Sequence, residues 1–198
     1  MTEGVFTAAD RFEIKGAWFT TDAEDLIDLG VNFAFSPTCF APPFFSPCSA
    51  GTSFSQNLAS AELDGFEVAA AYTNGPLQLS GALFEIDGEN TLTGDPLGAL
   101  QPLMGHVTAR YAIEPARLTL GGRLGFAGEF DKTADPNAER DGYAVLDLYA
   151  GWRPFEGERL RIDLGVENVF EEDFERVFAG VSEPGRSVRI DLTWTGGW

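Results

Sequence analysis

The sequence predicts an all-β fold: an antiparallel, up-and-down transmembrane β-barrel region of about eight strands. Three observations predict it. Apolar and polar residues alternate along successive segments, short and long connections alternate between the segments, and aromatic residues cluster at one set of strand ends. Because successive side chains of a strand point to opposite faces, each segment presents one apolar and one charged face.

The alternation is clearest in the second half of the chain. In residues 158–168 and 186–194, aliphatic residues at even positions oppose charged residues at odd positions. Many of these segments have the length of about ten residues that a tilted strand needs to cross a bilayer. The predicted strands lie near 11–21, 56–72, 77–86, 103–113, 116–128, 142–153, 158–169 and 186–195.

The connections between these segments alternate in length. Short Gly- or Pro-containing turns join the second strand to the third, the fourth to the fifth and the sixth to the seventh. A transmembrane barrel has this arrangement, with short periplasmic turns and long outer loops. We therefore expect residues 1–198 to form a single partial barrel region, with outer loops at 28–55, 87–102, 130–141 and 171–185.

Periodicity alone does not decide where the apolar face points. A soluble β-sandwich would bury it as a core, whereas a membrane barrel would expose it to lipid. Aromatic residues near the short-turn ends favour the membrane, because such rings prefer the headgroup region. They are Tyr72, Tyr111, Trp152, Phe155, Trp194 and Trp198. The last two end an alternating strand that resembles the C-terminal signal read by barrel-assembly machinery.

Charge and hydropathy exclude other classes. The net charge of −18, with 13 basic and 31 acidic residues, argues against nucleic acid as a partner. The sequence contains no run of 18 apolar residues, which is the length that a membrane helix needs. The first residues lack the features of a signal peptide, so an export signal for an outer membrane is expected outside this chain.

Cys39 and Cys48 lie close together in a Pro-rich segment. Two cysteines in such a loop predict a local disulfide and therefore an oxidising compartment. The alternative is a pair of free thiols.

Four motifs then carry a family resemblance. The segment at 54–72 matches an N…A…G-x-E pattern through Asn57, Ala61, Gly65 and Glu67. Residues 139–154 form the second motif, a strand that follows a long loop. Residues 164–178 and 183–194 complete the set, with the matching positions Asn168, Phe170, Pro184, Gly185 and Arg186. In this order, the motifs resemble the C-terminal barrel of TonB-dependent receptors. The segment 25–40 and the loop cysteines, Cys39 and Cys48, resemble the haem/haemoglobin branch.

The resemblance implies a part of a barrel of about 22 strands in the outer membrane of a Gram-negative bacterium. It implies uptake of haem, an iron chelate or a similar nutrient, with haem or a ferric chelate as the transported ligand rather than a bound cofactor. The implied partners are outer-membrane lipid, a plug domain expected outside this chain, the TonB energy-coupling system and the barrel-assembly machinery.

Two alternatives remain open on the sequence. The chain could close as a complete eight-stranded barrel with a structural or adhesion role, which would pair the first strand with the last. It could also be a soluble β-sandwich binding module, which would bury Leu120, Leu148, Leu164 and Leu192.

No residue pattern predicts catalysis or a metal centre. Hydrolase, P-loop and dinucleotide motifs are absent from the sequence, so we do not expect an enzyme. His106 is the single histidine, too few ligands for a metal site by itself. We expect it to be a wall residue on the charged face.

Overall fold

A single antiparallel sheet contains all the named strands of the described chain. The computed structural model describes residues 2–7, 11–32, 52–97, 100–133, 139–156, 159–177, 179 and 181–196. Each strand pairs with the next in chain order, so the predicted all-β, up-and-down meander is confirmed. The strands are β1 (Thr2–Thr7), β2 (Phe12–Asn32), β3 (Thr52–Asn74), β4 (Leu77–Asn90), β5 (Met104–Ile113), β6 (Leu118–Ala127), β7 (Tyr143–Trp152), β8 (Leu160–Glu167) and β9 (Ser187–Trp194).

The structure adds strand residues at two places. β1 pairs with the first part of β2, although its six residues are too few for a recognisable alternation. β2 and β3 also remain paired up to Asn32 and Thr52, well inside the segment expected to be a loop at 28–55. Residues 33–51, which include Cys39 and Cys48, lie outside the described residues.

Short and long connections lie at opposite ends of the sheet. The β3–β4 turn uses Gly75 with φ of 56°, a left-handed conformation that glycine adopts without a Cβ clash. A single 3-10 turn, Glu114–Ala116, joins β5 to β6. The long connections 91–103, 128–142 and 168–186 all lie at the other end, as the sequence predicts for a barrel.

Strand register assigns every side chain to one of two faces. Residues paired across neighbouring strands share a face. One cross-strand row on what we call the apolar face consists of Tyr111, Leu120, Ala150, Leu164 and Ile190. The adjacent row on the opposite, charged face consists of Arg110, Gly121, Tyr149, Gly165 and Arg189.

The apolar face is not a core. Leu120, Leu148, Leu164 and Leu192 are exposed by 43%, 46%, 45% and 69%. A β-sandwich would bury these four side chains against a second sheet. The soluble sandwich alternative is therefore wrong.

Among the described residues, the sheet does not close on itself. Its order begins with β1 and ends with β9, and the described residues contain no pairing between these two strands. The complete eight-stranded barrel required such a pairing, so this alternative is not supported. Among the residues that the structure describes, no helix is long and apolar enough to span a membrane.

Candidate functional site: charged face and rim

Ion pairs run along individual strands of the charged face. The Arg161 Nε lies 2.7 Å from Asp163 Oδ2, and the Arg189 Nε lies 2.6 Å from Asp191 Oδ2. Residues two apart on a strand share a face, which places each arginine beside its aspartate. These pairs form a ladder that neutralises neighbouring charges on β8 and β9.

Asp147, which lies on the charged face of β7, makes a contact of a different kind. Its Oδ1 accepts a hydrogen bond of 2.9 Å from the backbone N–H of Asn168. This contact connects β7 to the residue that follows β8. The carboxylate thus fixes the start of a long connection rather than extending the ladder.

Asn168 is the centre of a buried hydrogen-bond network. Its side chain is 4% exposed, and its φ of 50° is left-handed, a conformation that asparagine tolerates better than most residues. Nδ2 donates to the carbonyl oxygens of Glu172 at 2.8 Å and Pro184 at 3.5 Å. Oδ1 accepts from the backbone N–H of Glu172 at 2.8 Å. One side chain therefore holds both ends of the β8–β9 connection.

Arg186 reinforces that connection from its far end. Its Nε donates to the Val169 carbonyl at 2.9 Å, and its Nη2 lies 3.3 Å from Glu171 Oε2. The structure thereby brings together the motif residues Asn168, Pro184 and Arg186. Gly185 lies between the last two, whereas the Phe170 side chain is exposed.

The β8–β9 connection is also joined to the β6–β7 connection. The Arg140 guanidinium lies 3.3 Å from both carboxylate oxygens of Glu175, through Nε and Nη2. The rings of Tyr143 and Phe174 pack with centroids 4.2 Å apart. A charge pair and an aromatic pair therefore hold these two connections together.

The β4–β5 and β6–β7 connections meet in the same way. Leu97 and Phe130 are both buried and line a common cavity of about 90 Å³. The Lys132 ammonium lies 2.5 Å from Asp87 Oδ1, and this hydrogen bond raises the pKa of Lys132 above its ordinary value. We call residues 91–103, 128–142 and 168–186 the rim, since these contacts link the three connections in series.

The other motif residues lie elsewhere. Gly65 in β3 is needed for packing, because a Cβ there would lie 2.5 Å from the Glu85 carbonyl and 2.6 Å from the Phe19 ring. Glu67 is exposed on the charged face, and Trp194 is exposed at the end of β9. Asn57 lies in β3 opposite Ile27, but its side chain is outside the described residues, as is Trp198. The motifs thus mark three separate places.

Sequence reasoning missed a concavity on the charged face. A cavity of about 610 Å³ lies over β2–β6, and its position follows only from the strand register. Among the described residues, no group of three or more His, Cys, Asp or Glu side chains is arranged to hold a metal ion. Side chains that line the cavity include Lys15, Ala69, Ala82, Phe84, His106 and Arg123.

Comparison with protein families then identifies the architecture. The family described as "TonB dependent receptor-like, beta-barrel" matches residues 4–169. The chain belongs to this family. The predicted membership of the TonB-dependent receptor family is thereby confirmed. The described meander is a region of such a barrel.

Curated relatives cover nearly the whole chain. "Heme/hemopexin utilization protein C" of Haemophilus influenzae (strain 86-028NP) is 27% identical over 202 residues, covering 98% of this chain and 27% of the relative. "Hemin receptor" of Yersinia enterocolitica is 24% identical over 190 residues, covering 94% and 27%. The chain thus spans little more than a quarter of the length of these relatives.

Solved structures show the same fold. "Copper transporter OprC" matches with a TM-score of 0.73 and 17% identity, over 96% of this chain and 29% of that structure. The FrpB iron transporter from Neisseria meningitidis (F3-3 variant) matches with a TM-score of 0.68 and 19% identity, over 96% and 29%. At these identities the likeness concerns the fold alone.

Proposed function

We propose that this chain forms part of the barrel wall of a TonB-dependent outer-membrane receptor that takes up haem. The observation that carries the proposal is an apolar face that stays exposed on a chain of this family, together with curated relatives named for haem and hemin. A ferric chelate is the second candidate ligand. The role is transport rather than catalysis.

The exposed apolar face fits lipid. Burying apolar surface stabilises by about 25 cal/mol per Å², and this face has no protein partner among the described residues. Tyr111, Trp152 and Trp194 lie on it at the short-turn end. Their amphipathic rings suit a membrane interface, which supports a periplasmic position for the short turns.

At the long-loop end, the boundary of the lipid-facing surface is marked by a change from aromatic side chains to carboxylates. Trp18 and Phe66 stack on the apolar face with ring centroids 6.4 Å apart and an interplanar angle of 6°. Beyond these rings the same face carries acidic residues, since Asp22 pairs with Glu62, which in turn pairs with Glu89. Carboxylates belong in water rather than hydrocarbon. This supports placing the upper parts of β2–β4 outside the cell.

The charged face would line the lumen in this orientation. We expect it to contact the plug domain, whose movement is driven by the TonB system in the intact receptor. Trp194 and Trp198 would serve as the signal for barrel-assembly machinery. We also propose the disulfide between Cys39 and Cys48 in the outer β2–β3 connection, where an oxidising environment would preserve it.

A growth experiment tests the uptake function. The full-length gene would be deleted and then complemented in strains with and without a functional TonB system, with haem or a ferric chelate as the sole iron source. We expect growth on haem only when both the gene and TonB are present. Growth on haem without the gene, at the wild-type rate, would contradict haem uptake; loss of growth on ferric chelates alone would assign that ligand instead.

A further inference from the structure

A shallow basin lies in the middle of the charged face. Its floor is formed by two small residues, Ala69 on β3 and Ala82 on β4, which are paired across the strands. The same cross-strand row continues to Lys15 on β2 and to His106 on β5. Because neighbouring strands are about 4.8 Å apart, two longer side chains stand about 14 Å apart on either side of an alanine floor.

Apolar and charged side chains complete the basin, and they include the exposed carboxylate of Glu67, which is paired with Phe84. Phe84 and Met104, paired with each other in the next row, line it toward the long-loop end. Arg123 lines it beyond His106 and makes no ion pair within 4.0 Å among the described residues. The volume of about 610 Å³ lies in the range of about 300–1,000 Å³ typical of small-molecule sites.

The chemistry of the basin selects a particular ligand class. An alanine floor with Phe84 and Met104 favours a flat apolar body, because these side chains offer no hydrogen bonds. The Arg123 guanidinium favours a carboxylate at the edge of the basin, whereas the Lys15 ammonium already lies 2.7 Å from Glu13 Oε1. The His106 imidazole can ligate iron, since one histidine is sufficient as an axial ligand of haem.

We infer that the basin is a transit site for haem, or for a similar flat, apolar, carboxylate-bearing iron macrocycle, along the lumen wall. The inference rests on the proposed function, since a ligand must first enter the lumen. In the basin, Ala69 and Ala82 leave room for the macrocycle. Arg123 binds a carboxylate of the ligand, and His106 faces the iron. The basin is distinct from the rim, where the outer loops would first meet the ligand.

The first test fills the basin in the full-length protein. Ala69→Phe places a ring on the floor, and Ala71→Phe places the same ring on the same strand and face, two residues away and outside the lining residues. We expect Ala69→Phe to slow haem import about tenfold, the effect of 1.4 kcal/mol on a barrier, with unchanged haem binding at the cell surface. Ala71→Phe should import like the wild type.

The second test removes the polar groups. Arg123→Gln should weaken haem binding to the purified full-length protein about tenfold, as expected for loss of a charge-assisted hydrogen bond. Arg110→Gln, also exposed on the charged face but outside the basin, is the control. His106→Ala should remove the imidazole-bound component from the visible spectrum of the haem complex.

The outcomes separate the two proposals. A wild-type protein that imports no haem would overturn the proposed function and the transit site together. Normal haem import with Ala69→Phe and Arg123→Gln both indistinguishable from their controls would overturn the transit site alone. A thermal stability that falls in Ala69→Phe while import stays normal would show that the basin holds part of the protein itself, which also overturns it.

Discussion

The rim and the spanning wall differ in where their stabilising contacts come from. The spanning wall, meaning β5–β9 and the paired parts of β2–β4 below Trp18 and Phe66, presents an apolar face that stays exposed. The rim region contains the buried side chains of the described chain. They are Leu97, Phe130 and Asn168 in the connections, with Ala61 and Ala127 at the adjoining strand positions.

The two regions differ because the spanning wall is stabilised in contact with lipid and the rim in contact with water. Wall strands satisfy their backbone groups within the sheet, and their apolar face gains from lipid rather than from other side chains. Rim connections are irregular and meet water, so they depend on side-chain hydrogen bonds, ion pairs and a small core of their own.

The largest effect is expected on the apolar face of the wall. Val107 and Thr108 are neighbours in β5, and their side chains lie on opposite faces. Val107→Arg would place a cation in hydrocarbon and should destabilise the full-length protein by about 2–4 kcal/mol if it lies near the bilayer midplane. The measurement is unfolding by denaturant in lipid vesicles.

Thr108→Arg provides the matched control. The same arginine then points to the charged face, beside Arg123 and Asp147 in its row, and should change stability by much less. Equal losses for the two variants would contradict the assignment of faces, because a soluble or two-sided environment would not distinguish adjacent residues.

The next largest effect is expected at Asn168 in the rim. Asn168→Ala removes two side-chain hydrogen bonds to Glu172 and leaves alanine in a left-handed conformation. Each lost hydrogen bond costs about 1 kcal/mol, and the backbone adds about 1 kcal/mol, so we expect a loss of about 2–3 kcal/mol. Hydrogen exchange of the amides of residues 168–186 would show whether the loss is confined to the rim.

Two further variants separate the causes at this position. Asn168→Gly relieves the backbone but loses the side chain, so it should recover about 1 kcal/mol relative to alanine. Asn168→Asp keeps the acceptor for the Glu172 N–H but loses the donor to the carbonyls. Faster exchange throughout β7 and β8 in Asn168→Ala, rather than in residues 168–186, would show that this network stabilises the wall instead.

The sequence predicts the wall better than the rim for a physical reason. Alternation at Leu160, Ile162 and Leu164 repeats a geometry that lipid imposes on every spanning strand, so local pattern is sufficient. The rim contact between Arg140 and Glu175 joins residues 35 apart, in connections with no periodicity. Such contacts depend on the folded path of two loops, which no local pattern encodes.

The upper ends of β2 and β3 were predicted as loop because the lipid-facing pattern stops before the strands do. Beyond Trp18 and Phe66 the apolar face carries acidic residues such as Asp22 and Glu62, so the lipid-facing alternation ends although the strands continue. The motif residues Asn168 and Arg186 were found by resemblance, but their shared network was not. Likewise, the basin at Ala69 and Ala82 required the register of β3 and β4.

The smallest expected effect is at the Lys132–Asp87 contact of the rim. Both side chains are well exposed, so solvent screening limits Lys132→Met to a loss of less than about 1 kcal/mol. Asp87 also faces Asp64 across the β3–β4 pair. Removing the lysine leaves two opposed carboxylates, and adding Asp87→Asn should therefore recover part of the loss.

The pH dependence of this contact has a defined sign. Because the hydrogen bond to Asp87 raises the pKa of Lys132 in the folded protein, its stabilisation is complete below the unfolded-state pKa and disappears as pH rises through the folded-state pKa. Hydrogen exchange at the Leu97 amide, which donates to the Gly88 carbonyl at 2.9 Å beside this contact, is a local probe. After correction for intrinsic exchange rates, protection in the wild type should fall to that of Lys132→Met at strongly alkaline pH. A wild-type protection that stays above that of Lys132→Met there would show that the rim is held at this point by its apolar contacts and not by the ammonium.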